Sequence, residues 1–233
     1  VPEMIIKRET DILPVWLCLL LLAAAAVFTY AAATGGGFIW DDYDFVVRNS
    51  SLRGGAGLSE FFLRPGTIAF GSGYSSGLYR PLFSLSLALD YRFWGLDPFG
   101  YHLTNLFLHL LSAGAVFFLF FALGITRAAA LAVALIFTVH PVNTEAVAWI
   151  SSRANVLFLP FYLLSMLSFI RYRRGGGRFF LLFALGLFSV SLLSKEMAVT
   201  LPLLLVALDL SGLTGTPDRK TMFRAWLPFW LLA

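Results

Sequence analysis

Two adjacent carboxylates, Asp41 and Asp42, stand in the stretch FIWDDYDF (38–45), straight after an apolar run and between aromatic residues that suit a lipid–water boundary. A carboxylate at such a boundary is partly desolvated, which raises its pKa and equips it as a general base. Its oxygens also suit a divalent cation. The competing reading is a helix N-cap with solvated charge, and Asp44 is read that way.

Three cations are candidates for holding a phosphate. They are Arg80 in YRPL (79–82), Arg153 at the end of HPVNTEAVAWISSR (140–153) and Lys195 in SKEM (194–197). A guanidinium grips phosphate through two parallel hydrogen bonds. Lys195 and Glu196 interrupt two apolar runs with almost no loop between them, so they lie at or just within the interface, where ionisable residues are functional candidates by default. Snorkelling is the plainer reading of Lys195. His102, Asn105 and His109 recur at i, i+3 and i+7, one face of a helix, and mark a polar cavity or partner. The two histidines are about 10 Å apart along that helix, too far to share one zinc ion. His140 precedes Pro141, which is set to begin a helix. Glu145 then falls on one face with Trp149 and Ser152, close to Arg153, and an ion pair at a helix end is the structural alternative.

The elements that must position these residues are membrane helices. The chain has 233 residues, 59% hydrophobic and only 13% charged, with a mean hydropathy of +0.81. Soluble domains carry about 25% charged residues. The net charge of +4 does not point to nucleic acid, because the basic residues alternate with apolar runs and form no single patch. The single cysteine, Cys18, excludes an internal disulfide framework and a cysteine metal site. Spans are expected at 14–34, 102–124, 126–140, 154–170, 179–193, 198–212 and 223–233, about seven, against the ~20 residues needed to cross lipid. The reading is an all-α polytopic helix bundle in the bilayer. A secretory signal peptide is the rival reading of residues 7–34, but its apolar run is too long. The last run reaches Ala233, and the parent protein is expected to continue past it.

Basic residues set the orientation. Lys7 and Arg8, Arg127, RYRRGGGR (171–178) and the group Arg219, Lys220 and Arg224 occupy alternate connections, which are therefore cytoplasmic. The other connections are external, the first of them (35–101) long and expected to hold short amphipathic helices. Almost every unusual polar residue then lies on that side. The carboxylates, cations and polar stripe fit a lipid-linked phosphate substrate, with its tail among helices and its head group at the interface.

WDD, YRPL, the DPFGYHLTNLFLH run (97–109), HPVNTEAVAWISSR and SKEMAVTLPLLL (194–205), in that order, resemble the membrane half of the TMTC-type protein O-mannosyltransferases and their bacterial relatives. The resemblance runs from about Phe38 to Leu205. It implies the GT-C glycosyltransferase fold over residues 1–233 and inverting transfer of a sugar from a polyprenyl-phosphate donor to a protein hydroxyl. It implies a catalytic base at Asp41–Asp42. Such relatives carry more spans and usually tetratricopeptide repeats, so the chain corresponds to their N-terminal membrane portion. The donor lipid would be undecaprenyl phosphate in a bacterial inner membrane, with the active face periplasmic. In the endoplasmic reticulum it would be dolichyl phosphate, with that face luminal. The Ala-, Gly-, Leu- and Arg-rich spans favour the bacterial setting. The alternative class is a transporter or channel with an external polar vestibule, which needs polar groups near the midplane. The expected midplanes are Leu, Phe, Val and Ala.

Overall fold

Apolar segments wind into helices because lipid offers the backbone no hydrogen-bond partner. The computed structural model describes residues 13–53, 57–63, 77–214 and 219–233. Lys7 and Arg8 of the expected inner flank, and residues 64–76 of the expected external loop, lie outside them. Among the described residues the α-helices are α1 Val15–Tyr30, α2 Leu58–Leu63, α3 Pro81–Trp94, α4 Pro98–Ala122, α5 Arg127–Val139, α6 Thr144–Ala148, α7 Arg153–Arg171, α8 Arg178–Ser194, α9 Leu201–Leu210 and α10 Arg219–Leu232.

Their boundaries follow local chemistry. Proline opens α3 and α4, and the Asp97 side chain caps α4 by accepting from Phe99 N at 3.0 Å. Thr126 caps α5 in the same manner. The α3–α4 corner is tight. A Cβ on Gly100 would come within 2.1 Å of the Trp94 ring, so only glycine fits there.

Three segments among the described residues are long and apolar enough to cross a membrane: Val15–Gly35, Pro98–Ala122 and Ile150–Gly176. A fourth exists if α5 and the stretch Pro141–Ala148 count as one span bent by 49°. These match the first, second and fourth expected spans and, in part, the third. The remaining expected spans are shorter. α8 has 17 residues. The sixth is divided between a 3-10 turn, Glu196–Thr200, and the 10 residues of α9, with Pro202 at its start. α10 has 14 residues with Pro228 inside it.

α4 packs against α1, α5 and α7, and α7 pairs with α8. Two apolar cores result. One fills the middle of the bundle with Phe117, Phe169, Phe188 and Phe229. The other lies at one end, where Phe45, Val46, Phe83 and Leu87 from the 35–101 region meet Tyr101, Ile150, Ala154 and Leu157 from the long helices. In lipid such contacts hold through close packing rather than through water exclusion. This second core fastens the acidic stretch to the bundle end.

The opposite end is basic. Arg173 donates to Asp209 at 3.0 Å, and Trp226 Nε1 donates to the other oxygen of that carboxylate at 2.8 Å. Arg174 reaches the Ala122 and Leu213 carbonyls, and Arg127 reaches that of Leu13. The ends of the bundle thus differ in chemistry as the alternating basic connections require.

Cysteines placed singly test the orientation, since native Cys18 is fully buried. Val142 and Met197 are 73% and 53% exposed at the polar-motif end, and Ser211 is exposed at the basic end. In intact cells an impermeant thiol reagent is expected to label Val142→Cys and Met197→Cys but not Ser211→Cys. Labelling of Ser211→Cys alone would reverse the assignment.

Candidate functional site

The two neighbouring carboxylates have opposite environments. Asp42 is fully buried, and Asp41 is exposed. Asp42 accepts from Ile39 N at 3.0 Å and from Ser151 N at 2.8 Å, and the Ser151 hydroxyl also donates to it. Both its oxygens are satisfied, and they tie the acidic loop to the segment that precedes α7. Trp40 turns the chain here through a left-handed φ of 47°, uncommon for a residue with a side chain. Its ring meets that of Trp149 edge-on at 5.7 Å. Past the turn, the Asp41 carbonyl accepts from Asp44 N and Phe45 N and starts a π-helical turn, Tyr43–Val47. Asp44 pairs with Arg48 at the surface, at 3.2 Å.

Arg153 is fully buried at the start of α7. Its Nε donates to Asn105 Oδ1 at 2.8 Å and Nη2 donates to the Tyr101 carbonyl at 2.7 Å. Nη1 meets the Asp90 carboxylate and the Ser86 carbonyl. Asp90 also accepts from Thr104 at 2.9 Å. The guanidinium is therefore held on all sides by protein acceptors from α3 and α4. Removing one partner of such a pair costs about 3–5 kcal/mol, because the other charge is left buried alone. Asn105 completes the knot by donating to the Val147 and Trp149 carbonyls, each at 3.2 Å.

Arg80 and Lys195 lie nearer the surface of the same end. Arg80 grips Glu196 with Nε to Oε2 at 2.9 Å and Nη2 to Oε1 at 2.6 Å. The Arg80 hydrogen bond holds the Glu196 carboxyl below the usual carboxylate range, so the pair persists until pH falls below that range. Lys195 donates to Asn155 Oδ1, and its ammonium stands 5.9 Å from the Phe158 ring centre. Burial, then the nearby Arg80 charge, push its pKa below the usual lysine range, against the opposing pull of Glu196 and Glu145.

The histidines divide. His109 is buried and meets the Thr138 carbonyl through Nε2 at 3.0 Å. His102 is also buried, and neither ring nitrogen has a hydrogen-bond partner among the described residues. The acidic loop passes close over it, since a Cβ on Gly36 would stand 3.4 Å from its Nε2. His140 is exposed and caps the turn Pro141–Asn143 through Nδ1. Glu145 is exposed on α6. As for a cation at Asp41–Asp42, no group of three or more His, Cys, Asp or Glu among the described residues could hold a metal ion. Both Asp42 oxygens already face hydrogen-bond donors, so that pair does not fit one.

The structure thus brings the WDD, YRPL, HPVNTEAVAWISSR and SKEM motifs to one end of the bundle. It adds Asp90, Ser151 and Asn155, which the sequence did not single out. For Asp90 a signal existed: a lone carboxylate in the apolar run PLFSLSLALD (81–90) must find a partner if buried. Ser151 and Asn155 carried no signal of their own.

No protein-family model matches the chain, and no solved structure matches it. Curated relatives do. The chain is 36% identical over 197 residues to protein O-mannosyl-transferase Tmtc1 of Drosophila melanogaster, covering 83% of this chain and 23% of that protein. It is 33% identical over 221 residues to protein O-mannosyl-transferase TMTC1 of Homo sapiens, covering 86% and 24%. It is 30% identical over 216 residues to TMTC4 of Homo sapiens, covering 82% and 29%. The chain spans about a quarter of the length of the curated relatives it matches.

The depressed Lys195 pKa has a readable consequence. An anion held through its charge should bind fully at neutral pH and weaken as pH rises, at a pH below the ordinary lysine range. Titrated with inorganic sulfate, whose charge is constant there, the parent should show that alkaline loss. Lys195→Arg, which stays charged, should lack it. An identical alkaline limb in both proteins would remove Lys195 from the anion site.

Proposed function

Because this chain belongs to the TMTC-type protein O-mannosyl-transferase family, we propose that it forms the membrane portion of a glycosyltransferase. The enzyme would move a sugar from a polyprenyl-phosphate donor onto a protein hydroxyl at the external face. The observation that carries the reading is the unequal carboxylate pair. Asp42 is buried with both oxygens bonded, while its neighbour Asp41 is exposed at the same bundle end as Arg80 and Lys195.

In this reading Asp41 is the general base and Asp42 is a positioning residue. Asp41 takes the proton of the acceptor hydroxyl as that oxygen attacks the anomeric carbon, opposite the phosphate. The bond from that carbon to the phosphate oxygen breaks, the configuration inverts, and the polyprenyl phosphate leaves with one more negative charge. Arg80 and Lys195 would meet that charge, where preorganised cations lower the barrier most. Glu196 now occupies the Arg80 fork, so an arriving phosphate would have to displace it. Arg153, the third phosphate candidate, would serve from behind by keeping α3, α4 and α7 in register. The asymmetry of the bundle ends supports an integral membrane location with the acidic end external. A transporter reading gains less support. Buried Ser165 and Ser191 in the bundle interior donate to the Ala184 and Phe158 carbonyls and close helix contacts.

The test compares two isosteric variants in the full-length protein. Asp41→Asn should bind donor like the parent and turn over about 10²–10⁴-fold more slowly, the usual loss for a general base. Parental turnover in Asp41→Asn, with a large loss in Asp42→Asn, would move the base to Asp42. Parental turnover in both would end the general-base reading.

A further inference from the structure

A cavity of about 280 Å³ opens between α4, α5, α6 and α7 at the acidic end. It falls just below the roughly 300–1,000 Å³ typical of ligand pockets, which suits a single ring rather than a chain. Resting on the glycosyltransferase reading above, we propose that this cavity holds the sugar ring of the donor, as a site for one hexopyranosyl unit.

The lining is rich in hydrogen-bond acceptors. Glu145 brings a carboxylate that accepts no hydrogen bond among the described residues. Asn143 donates one amide N–H to the Phe137 carbonyl at 2.6 Å, which leaves its oxygen as an acceptor beside the second N–H. His109 must carry its proton on Nε2 to donate to the Thr138 carbonyl, which leaves Nδ1 as an acceptor. Ser112 donates to the Leu108 carbonyl and keeps its lone pairs. No Lys or Arg lines the cavity. Phe137, Val142, Ala146, Val156, Phe158 and Leu159 also line it, so the cavity offers acceptors beside apolar faces, and without a cation of its own it disfavours a phosphate. It suits a neutral ring whose hydroxyls donate, and a carboxylate accepting from vicinal hydroxyls is a strong contact of that kind. The contrast within the molecule is sharp, because a groove between α1, α4 and α7 is lined by Leu19, Leu22, Leu111, Gly114, Phe118 and Leu164, without one polar side chain.

Position argues the same way. Ser152 and Asn155 line the cavity. The residue before Ser152 is Ser151, which holds Asp42. Asn155 holds Lys195. Asn155 also donates to Ser152 at 2.9 Å, so the cavity adjoins both the segment that holds the acidic loop and the residue that holds a candidate phosphate cation.

Two lipids separate this proposal from the reading it rests on. Binding of mannosyl-phosphoryl-polyprenol and of bare polyprenyl phosphate would be measured on the full-length protein in lipid nanodiscs. The variants are Glu145→Gln, which removes the charged acceptor, and Val142→Trp, which narrows the mouth from an exposed position. Each should weaken the mannosyl lipid about ten-fold or more and leave the bare lipid within about two-fold. Equal binding of the mannosyl lipid to parent and both variants would overturn the sugar site while leaving the donor class intact. Failure of the parent to bind either lipid would overturn the donor class itself. If the variants instead raised only the KM for a hydroxyl peptide, the cavity would belong to the acceptor and the proposal would fail.

Discussion

Arg153 carries its charge fully buried at the head of α7, and the acidic end of the molecule is organised around that fact. A buried guanidinium is tolerated only where acceptors surround it. Asp90 comes from α3, Asn105 and the Tyr101 carbonyl from α4. Meeting those demands fixes three helices against each other at one level. The register of the 150–153 segment is then set. Two residues before Arg153, the Ser151 N–H and hydroxyl are in place to take the Asp42 carboxylate. One knot thus determines where the acidic loop lies and which of its carboxylates remains exposed.

The same logic separates the two ends of the bundle. At the acidic end Arg153 and Asp90 pair in the interior, Asp42 is bonded to Ser151, and Arg80 and Lys195 stand nearer the surface. At the basic end Asp209 gathers Arg173, Trp226 and Thr214 in a closed cluster. Between them lies a core of interlocking phenylalanines. Of the serines in the spans, Ser165 and Ser191 bond across α7 and α8, while Ser168 and Ser189 bond back to their own helices.

Much of this was legible in the sequence, for identifiable reasons. The long spans around α1, α4 and α7 were visible because uninterrupted apolar length is itself the signal. The convergence of the motifs on one end followed from the alternation of basic connections. The shorter helices were less legible, since Pro202, Pro228 and the SKEM turn divide apolar runs whose composition alone reads as spanning. Partners were the least legible. Arg153 and Asp90 are 63 positions apart, and Ser151 and Asp42 are 109 apart. An arginine beside an external connection looks the same in sequence whether it serves a substrate or a buried carboxylate. Only the fold shows that Arg153 is enclosed while Arg80 and Lys195 stand nearer the surface. The unequal burial of Asp41 and Asp42 was hidden for the same reason, because it depends on a turn at Trp40 and a distant serine.

The central claim is that the Asp42–Ser151 contact acts as one clamp that presents Asp41. A double-mutant cycle on turnover tests it most directly, with Asp42→Asn, Ser151→Ala and the pair made in the full-length protein. The clamp predicts that each single change slows transfer and that the pair is scarcely worse than the more severe single, a coupling of roughly 0.5–3 kcal/mol. Losses that simply multiply, or singles that turn over like the parent, would contradict it.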